Sequence, residues 1–197
     1  VSTTSGEILD LFQRTGAYLR GHFRLTSGLH SAEYLQCALV LQHPAHAEEL
    51  GRRLAAAMMA AAGFSGADTV VSPAIGGLII GQEAARALGA RHIFAERDGG
   101  GKMTLRRGFA VAPGERCVVV EDVVTTGGSS LEVVELLAAA GARVLATGSI
   151  IDRGGAVAKF PVPRAALAVL NVAAWPPESC PLCAAGAPVV KPGSRPG

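Results

Sequence analysis

The stretch Cys117-Val118-Val119-Val120-Glu121-Asp122-Val123-Val124-Thr125-Thr126-Gly127-Gly128-Ser129-Ser130 narrows the fold more than any other part of the chain. Its opening run of apolar, mostly β-branched side chains has no polar face to offer water, so it belongs to a strand covered on both sides. Two carboxylates end that strand. A loop of small residues and hydroxyls then leads into helical spacing, which is half of a strand-helix-strand unit. The same order precedes it: a strand over 69–71, Ser72-Pro73, a helix over 78–88 and a strand over 91–95. With a strand over 116–120, a helix over 130–140 and a strand over 143–151, the class is α/β with a mostly parallel central sheet flanked by helices. Ligands of such sheets sit at the carboxyl ends of the strands. The chemistry is therefore expected just after Val71, Val120 and Ile151.

Around this core, residues 5–19 carry Ile8, Leu11, Phe12 and Leu19 at helical spacing, and 23–38 alternate around Ser27-Gly28 like a hairpin. A helix over 44–62 is opened by Pro44 and closed near Gly63. From Ala174 onward the chain is rich in Pro and Gly, as in an ordered tail with a loose end. At 197 residues the length suits one core. A single domain is expected over 1–197, with an N-terminal part over 1–40, the core over 44–172 and an extension over 173–197.

Composition removes several classes of function. A formal charge of +2 without a clustered basic face does not suit a nucleic-acid partner. The longest apolar run, 55–64, is too short to span a membrane and follows Arg52 and Arg53. The N-terminus lacks the order of a secretory signal, and four cysteines are too few for a disulfide framework, so a reducing cytoplasm is expected.

The loop after Asp122 has the makings of an anion cradle. Gly127 and Gly128 let backbone N–H groups approach a ligand, and Thr125, Thr126, Ser129 and Ser130 add hydroxyls at a helix N-terminus. The helix dipole contributes only about 0.3–2 kcal/mol, whereas micromolar binding needs roughly 8 kcal/mol. Several charge-assisted hydrogen bonds of about 1.5–3 kcal/mol each close that gap. Glu121 and Asp122 offer acceptors to a vicinal diol, so a phosphorylated ribose suits both halves. Taken singly, either feature is more often a capped turn or a solvated strand end. Gly99-Gly100-Gly101-Lys102 does not have the spacing of a P-loop, and no G-x-G-x-x-G follows a strand.

The Glu121 to Ser129 stretch resembles, residue for residue, the motif of the phosphoribosyltransferases that use 5-phosphoribosyl 1-pyrophosphate (PRPP). The resemblance implies a type I phosphoribosyltransferase fold with a small hood over the base site, built from the N- and C-terminal segments. It also implies that Thr125, Thr126, Gly127, Gly128 and Ser129 hold the 5-phosphate, that Glu121 and Asp122 meet the ribose hydroxyls, and that Val123 and Val124 form the wall. Three further segments are similar to the orotate branch. Glu96 to Phe109 looks like its catalytic loop, with Arg97, Lys102, Arg106 and Arg107 set against Asp98 for a local balance of +3. Lys102 and Arg97 are carried over as the pyrophosphate contacts, whereas Arg106 and Arg107 can be simple anchors. Ile151-Asp152-Arg153-Gly154 is similar to the place of an arginine that pairs with the orotate carboxylate, with Thr125 beside it. On the residues alone, Asp152 is the default partner of Arg153. Phe23 to Ser31 resembles a base-covering hairpin, but Thr26, and Gly76 in the turn after Pro73, stand where many members have lysines.

The activity implied is transfer of the phosphoribosyl group to orotate in pyrimidine biosynthesis, with Mg2+ bound mainly through PRPP and a homodimer as the working unit. A purine phosphoribosyltransferase is the alternative within the class, and a PRPP-sensing regulatory protein the alternative outside it. No protein metal ligand is expected. Cys180-Pro181-Leu182-Cys183 has zinc-knuckle spacing without a second pair nearby, and His22, His30, His43, His46 and His92 show no ligand spacing.

Overall fold

The structure, a computed structural model, describes residues 5–25, 27–154 and 159–192. In chain order its elements are α1 (Ser5–Arg14), β1 (Tyr18–Arg24), β2 (His30–Leu35), α2 (Cys37–Leu41), α3 (Pro44–Ala62), β3 (Thr69–Pro73), α4 (Gly77–Leu88), β4 (Arg91–Arg97), β5 (Met103–Leu105), β6 (Arg116–Val124), α5 (Gly128–Ala139), β7 (Arg143–Asp152), β8 (Arg164–Val169), β9 (Ala174–Trp175) and α6 (Pro181–Ala184), with a 3-10 turn at Pro177–Ser179.

The expected α/β class is present. Six strands form one sheet in the order β5-β4-β3-β6-β7-β8, parallel except for β5, which returns antiparallel along β4. Period-two alternation explains why the strands are apolar throughout. Val118 and Val120 of β6 join Leu54, Met58 and Ile80 in the core beneath α3 and α4. Their neighbours Cys117 and Val119 join Val133, Val134 and Leu137 beneath α5. Each fully buried Leu or Met contributes about 1.5–3 kcal/mol, so both faces hold the sheet. Helix α3 begins with Pro44 at its first position and ends at Gly63, whose φ of 67° and N–H bond to Met59 O close the last turn.

A second, three-stranded antiparallel sheet, β1-β2-β9, joins the two chain extremities into the hood. Here several expectations are corrected. The helix expected over 5–19 stops at Arg14, because Gly16 adopts a φ of 68° and the Ala17 N–H turns back to Phe12 O at 2.8 Å. The hairpin accordingly starts at Tyr18, and 37–38, expected at its end, instead open α2. Strand β8 escaped prediction because its sequence, RAALAV, is dominated by alanine, a poor strand former. The described part of the tail is ordered, as expected: β9 pairs with β2, and the Arg24 N–H and Val190 N–H donate to Val190 O and His22 O at 2.9 and 2.8 Å.

Candidate functional site

The acid pair, expected to end its strand, lies inside it: β6 continues to Val124, with Glu121 opposite Ser149 and Val123 opposite Ile151 on β7. Adjacent strand residues face opposite sides, and the two carboxyls have different neighbours. Glu121 continues the Cys117/Val119 face and accepts a hydrogen bond from the Ser130 hydroxyl at the start of α5. Burial pushes its carboxyl up to about 7; the Ser130 hydrogen bond opposes that rise and the Asp122 charge adds to it. Asp122 continues the Val118/Val120 face, towards the start of α4. Burial raises its pKa as well, against the pull of the Val123 N–H, which donates to Oδ1 at 2.9 Å.

Gly127, with a φ of 84°, turns the chain from the loop into α5, whose N-terminus has no side-chain cap. Its first N–H groups are thus open to an anion. Glu121, Val123, Thr125, Thr126, Gly127, Gly128 and Ser129 line one cavity at this point. Seven of the residues named from the sequence therefore come together, while Asp122 and the buried Val124 do not line it.

Asp122 instead meets the turn before α4. A Cβ placed on Gly76 would lie 2.6 Å from Asp122 Oδ1, so a larger residue here would have to displace the carboxylate packed against it. The Ala74–Ile75 peptide in the same turn is cis. Tyr34 of β2, not named from the sequence, lies within reach of the charges of both Asp122 and Arg153: burial and then the Asp122 charge raise its pKa, and the Arg153 charge opposes them. Its ring packs on Phe23 at 5.8 Å. The hairpin resemblance pointed to this region, but only tertiary packing singles out Tyr34.

Arg153 follows β7, and its N–H bonds Val124 O at 2.9 Å, tying together the ends of β6 and β7. Its default partner is engaged elsewhere, since Asp152 pairs with Arg164 at 2.7 Å and accepts the Gly154 N–H at 2.9 Å. Among the described residues no carboxylate forms an ion pair with Arg153. The guanidinium is half-buried; burial lowers its pKa, and the negative fields of Tyr34 and Glu33 counter that effect.

The expected catalytic loop is an antiparallel hairpin of β4 and β5. Asp98 pins its tip by accepting the Gly100 and Lys102 N–H groups at 2.9 and 3.0 Å. Arg107 anchors its base, reaching both Glu96 oxygens at 2.7 and 2.9 Å. Arg97 binds both oxygens of Glu132 on α5 at 2.8 and 2.9 Å. Lys102 borders a cavity with Glu132, Glu135 and Ala139 along the outer side of α5. Neither Arg97 nor Lys102 lines the cradle in this arrangement. Thr26 lies outside the described residues.

Two of the histidines come together with the C-terminal cysteine pair. His22, His30, Cys180 and Cys183 bring one potential ligand atom each to within 4.8 Å of one another. The second pair missing from the neighbourhood of Cys180 is supplied by the β1–β2 hairpin, more than 150 positions upstream for His22. Spacing along the chain carries no sign of it.

Residues 40–159 match the phosphoribosyl transferase domain family. The chain is 52% identical to the orotate phosphoribosyltransferase of Heliobacterium modesticaldum over 189 residues, 96% of this chain and 97% of that protein. It is 49% identical to that of Thermotoga petrophila over 95% of this chain and 98% of that one. Among solved structures, orotate phosphoribosyltransferase from Aeropyrum pernix superposes with a TM-score of 0.68 at 25% identity, covering 83% of this chain and 93% of that one. An adenine phosphoribosyltransferase from Saccharomyces cerevisiae reaches 0.63 at 18% identity over 81% and 99%, a likeness of fold alone.

Proposed function

The chain belongs to the phosphoribosyltransferase family, and on that premise we propose that it transfers the 5-phosphoribosyl group of PRPP to orotate, giving orotidine 5-phosphate and pyrophosphate in pyrimidine biosynthesis. The observation that carries the choice of base is the half-buried Arg153, which has no carboxylate ion-pair partner among the described residues because Asp152 is held by Arg164. A guanidinium fork matches a carboxylate with two parallel hydrogen bonds. Orotate brings that carboxylate, and adenine, guanine and xanthine do not. Thr125 adds a hydroxyl at the same strand end, and Tyr34 gives the base an aromatic neighbour.

In the reaction the orotate ring nitrogen bonds to the anomeric carbon as the bond to pyrophosphate breaks, and the electron pair leaves with pyrophosphate. Positive charge grows on the ribose, so catalysis is mainly electrostatic. The Thr125 to Ser129 cradle holds the 5-phosphate through the uncapped start of α5. Glu121 and Asp122 receive the ribose hydroxyls from the two sides of the strand end and face the developing cation. Both carboxyls already accept internal hydrogen bonds, so a magnesium ion would be carried mainly by the phosphate oxygens of PRPP and by water rather than by these acids. When bound, that ion shares the charge of the leaving group.

Lys102 and Arg97 serve the pyrophosphate after the β4–β5 hairpin leaves α5. An exposed ion pair such as Arg97–Glu132 is worth only about 0–1 kcal/mol, so substrate can displace it. The working unit is a homodimer, supported by exposed Ile75 and Ile79 at the start of α4, 79% and 44% accessible; the Lys102 hairpin serves the neighbouring subunit's site. Among the described residues no helix is long and apolar enough to cross a membrane, and we place the reaction in the cytoplasm.

Pyrophosphate release with each base tests the assignment. Orotate is expected to be the substrate, and turnover of a purine in its place would overturn the choice of base. Arg153→Ala is expected to raise KM for orotate about 10–100-fold, the loss of one charge-assisted pair, with little change in KM for PRPP. An unchanged KM for orotate would remove Arg153 from base recognition.

A further inference from the structure

We propose that His22, His30, Cys180 and Cys183 form a structural zinc site that fastens the C-terminal segment to the β1–β2 hairpin. The inference is independent of the reaction and of the residues assigned to it.

The protonation of His22 can be read from its partner. Its Nδ1 lies 2.8 Å from Ala187 O, and a carbonyl only accepts, so Nδ1 carries the proton and Nε2 presents a lone pair. That lone pair faces three potential ligands: His30 Nδ1 at 2.8 Å, Cys180 Sγ at 3.6 Å and Cys183 Sγ at 3.6 Å. Cys183 Sγ also lies 3.2 Å from His30 Nδ1. A tetrahedral zinc with ordinary bond lengths separates a sulfur and a nitrogen ligand by about 3.5 Å, so the three S···N distances fall near the edges of one coordination polyhedron. The N···N edge needs to open by about half an ångström. The His22 Nδ1–H···O=C bond is the outer contact that characteristically fixes the tautomer of a metal-bound histidine.

Chemistry selects the ion. Two thiolates and two neutral imidazoles suit zinc among the divalent ions. Binding releases the two thiol protons to solvent and leaves a site of zero net charge, which suits His22, His30 and Cys180, all buried. Four protein ligands leave no open position, so the ion has a structural role.

The need for it follows from the hood. Strand β9 contributes only two residues, paired as His30↔Trp175 and Ser31↔Ala174, and α6 is four residues long with no buried residue of its own. So small a sheet has little apolar area to close on. The ion joins β1, β2 and the segment around α6 at one point.

The test uses the full chain without an affinity tag, purified under reducing conditions and without chelator from zinc-supplemented medium. Elemental analysis is expected to find about one zinc per chain. Loading the metal-free chain with cobalt(II) is expected to give the visible bands of a tetrahedral sulfur-ligated ion. Cys183→Ser, which changes an exposed residue, is expected to lower metal content at least tenfold, whereas His43→Ala leaves it unchanged and thereby excludes adventitious histidine binding. Chelation is expected to speed amide exchange in 18–35 and 174–190 while the six-stranded sheet stays protected. Should the wild-type chain contain less than about a tenth of an equivalent of zinc and take up cobalt without those bands, the site is refuted. A Cys180–Cys183 disulfide in place of metal, shown by thiols that stay unreactive until reduced, refutes it equally. Both readings use the wild-type chain and remain valid if the variant fails to fold.

Discussion

Burial sets the Glu121 carboxyl at about 7, far above an ordinary glutamate. The folded state therefore binds this proton more tightly than the unfolded chain does. The sign follows: the cost of burying the charge is absent below the unfolded pKa of 4.5 and fully present above about 7. Replacing Glu121 by Gln keeps a partner for the Ser130 hydroxyl and removes the titration. Glu121→Gln is expected to melt several degrees above the wild type at pH 8 and level with it near pH 4.5, in paired thermal scans. PRPP binding, measured by calorimetry, is expected to weaken as pH falls from 8 to 6 in the wild type but not in the variant. Identical melting curves at both pH values would show that the carboxyl is not held in its neutral form. Residue types singled out Glu121 as a candidate only together with the glycine and hydroxyl loop that follows it, because a carboxylate at a strand end is by itself more often structural. They could not announce that Asp152 would turn to Arg164 and away from Arg153, since that pairing is made by β8, a strand the sequence did not signal.

The turn into α4 shows how an element can be shaped by a side chain on another. Gly76 has an ordinary helical backbone, φ −57° and ψ −39°, so the glycine is not there for its conformational freedom. It is there because Asp122 of β6 occupies the space a Cβ would take. Gly76→Ala is accordingly expected to keep the fold and displace the carboxylate, lowering kcat/KM for PRPP about 10–100-fold, the effect of misplacing a reacting group by about 1 Å. Steady-state kinetics with a melting curve as control check this, and a change of less than twofold would free Asp122 from the role. The strand-helix units between 69 and 151 were legible because their apolar runs and glycine punctuation obey local rules. The continuation of β6 past its carboxylates was not, because the pairing of Glu121 with Ser149 and of Val123 with Ile151 comes from β7. The β4–β5 hairpin was legible in composition alone: four cations and three glycines suggested a closing loop, but not that Arg97 would dock on Glu132.

That docking matters for the assembly. In the proposed dimer each complete site takes its cradle from one subunit and Lys102 from the other. A chain bearing Lys102→Ala and a chain bearing Glu121→Ala, each nearly inactive alone, are expected to recover about a quarter of wild-type activity when co-refolded in equal amounts, because half the dimers are mixed and each holds one intact site. No recovery would mean that the hairpin serves its own subunit. The hood was the least legible part of the molecule, because its contacts join positions too far apart for any local pattern: the Ser31 hydroxyl bonds Ala173 O across 142 positions. That separation bears on how the protein is made. During synthesis β1 and β2 leave the ribosome long before β9 is polymerised, so the nascent chain carries an open β2 edge until β9 arrives to pair with it.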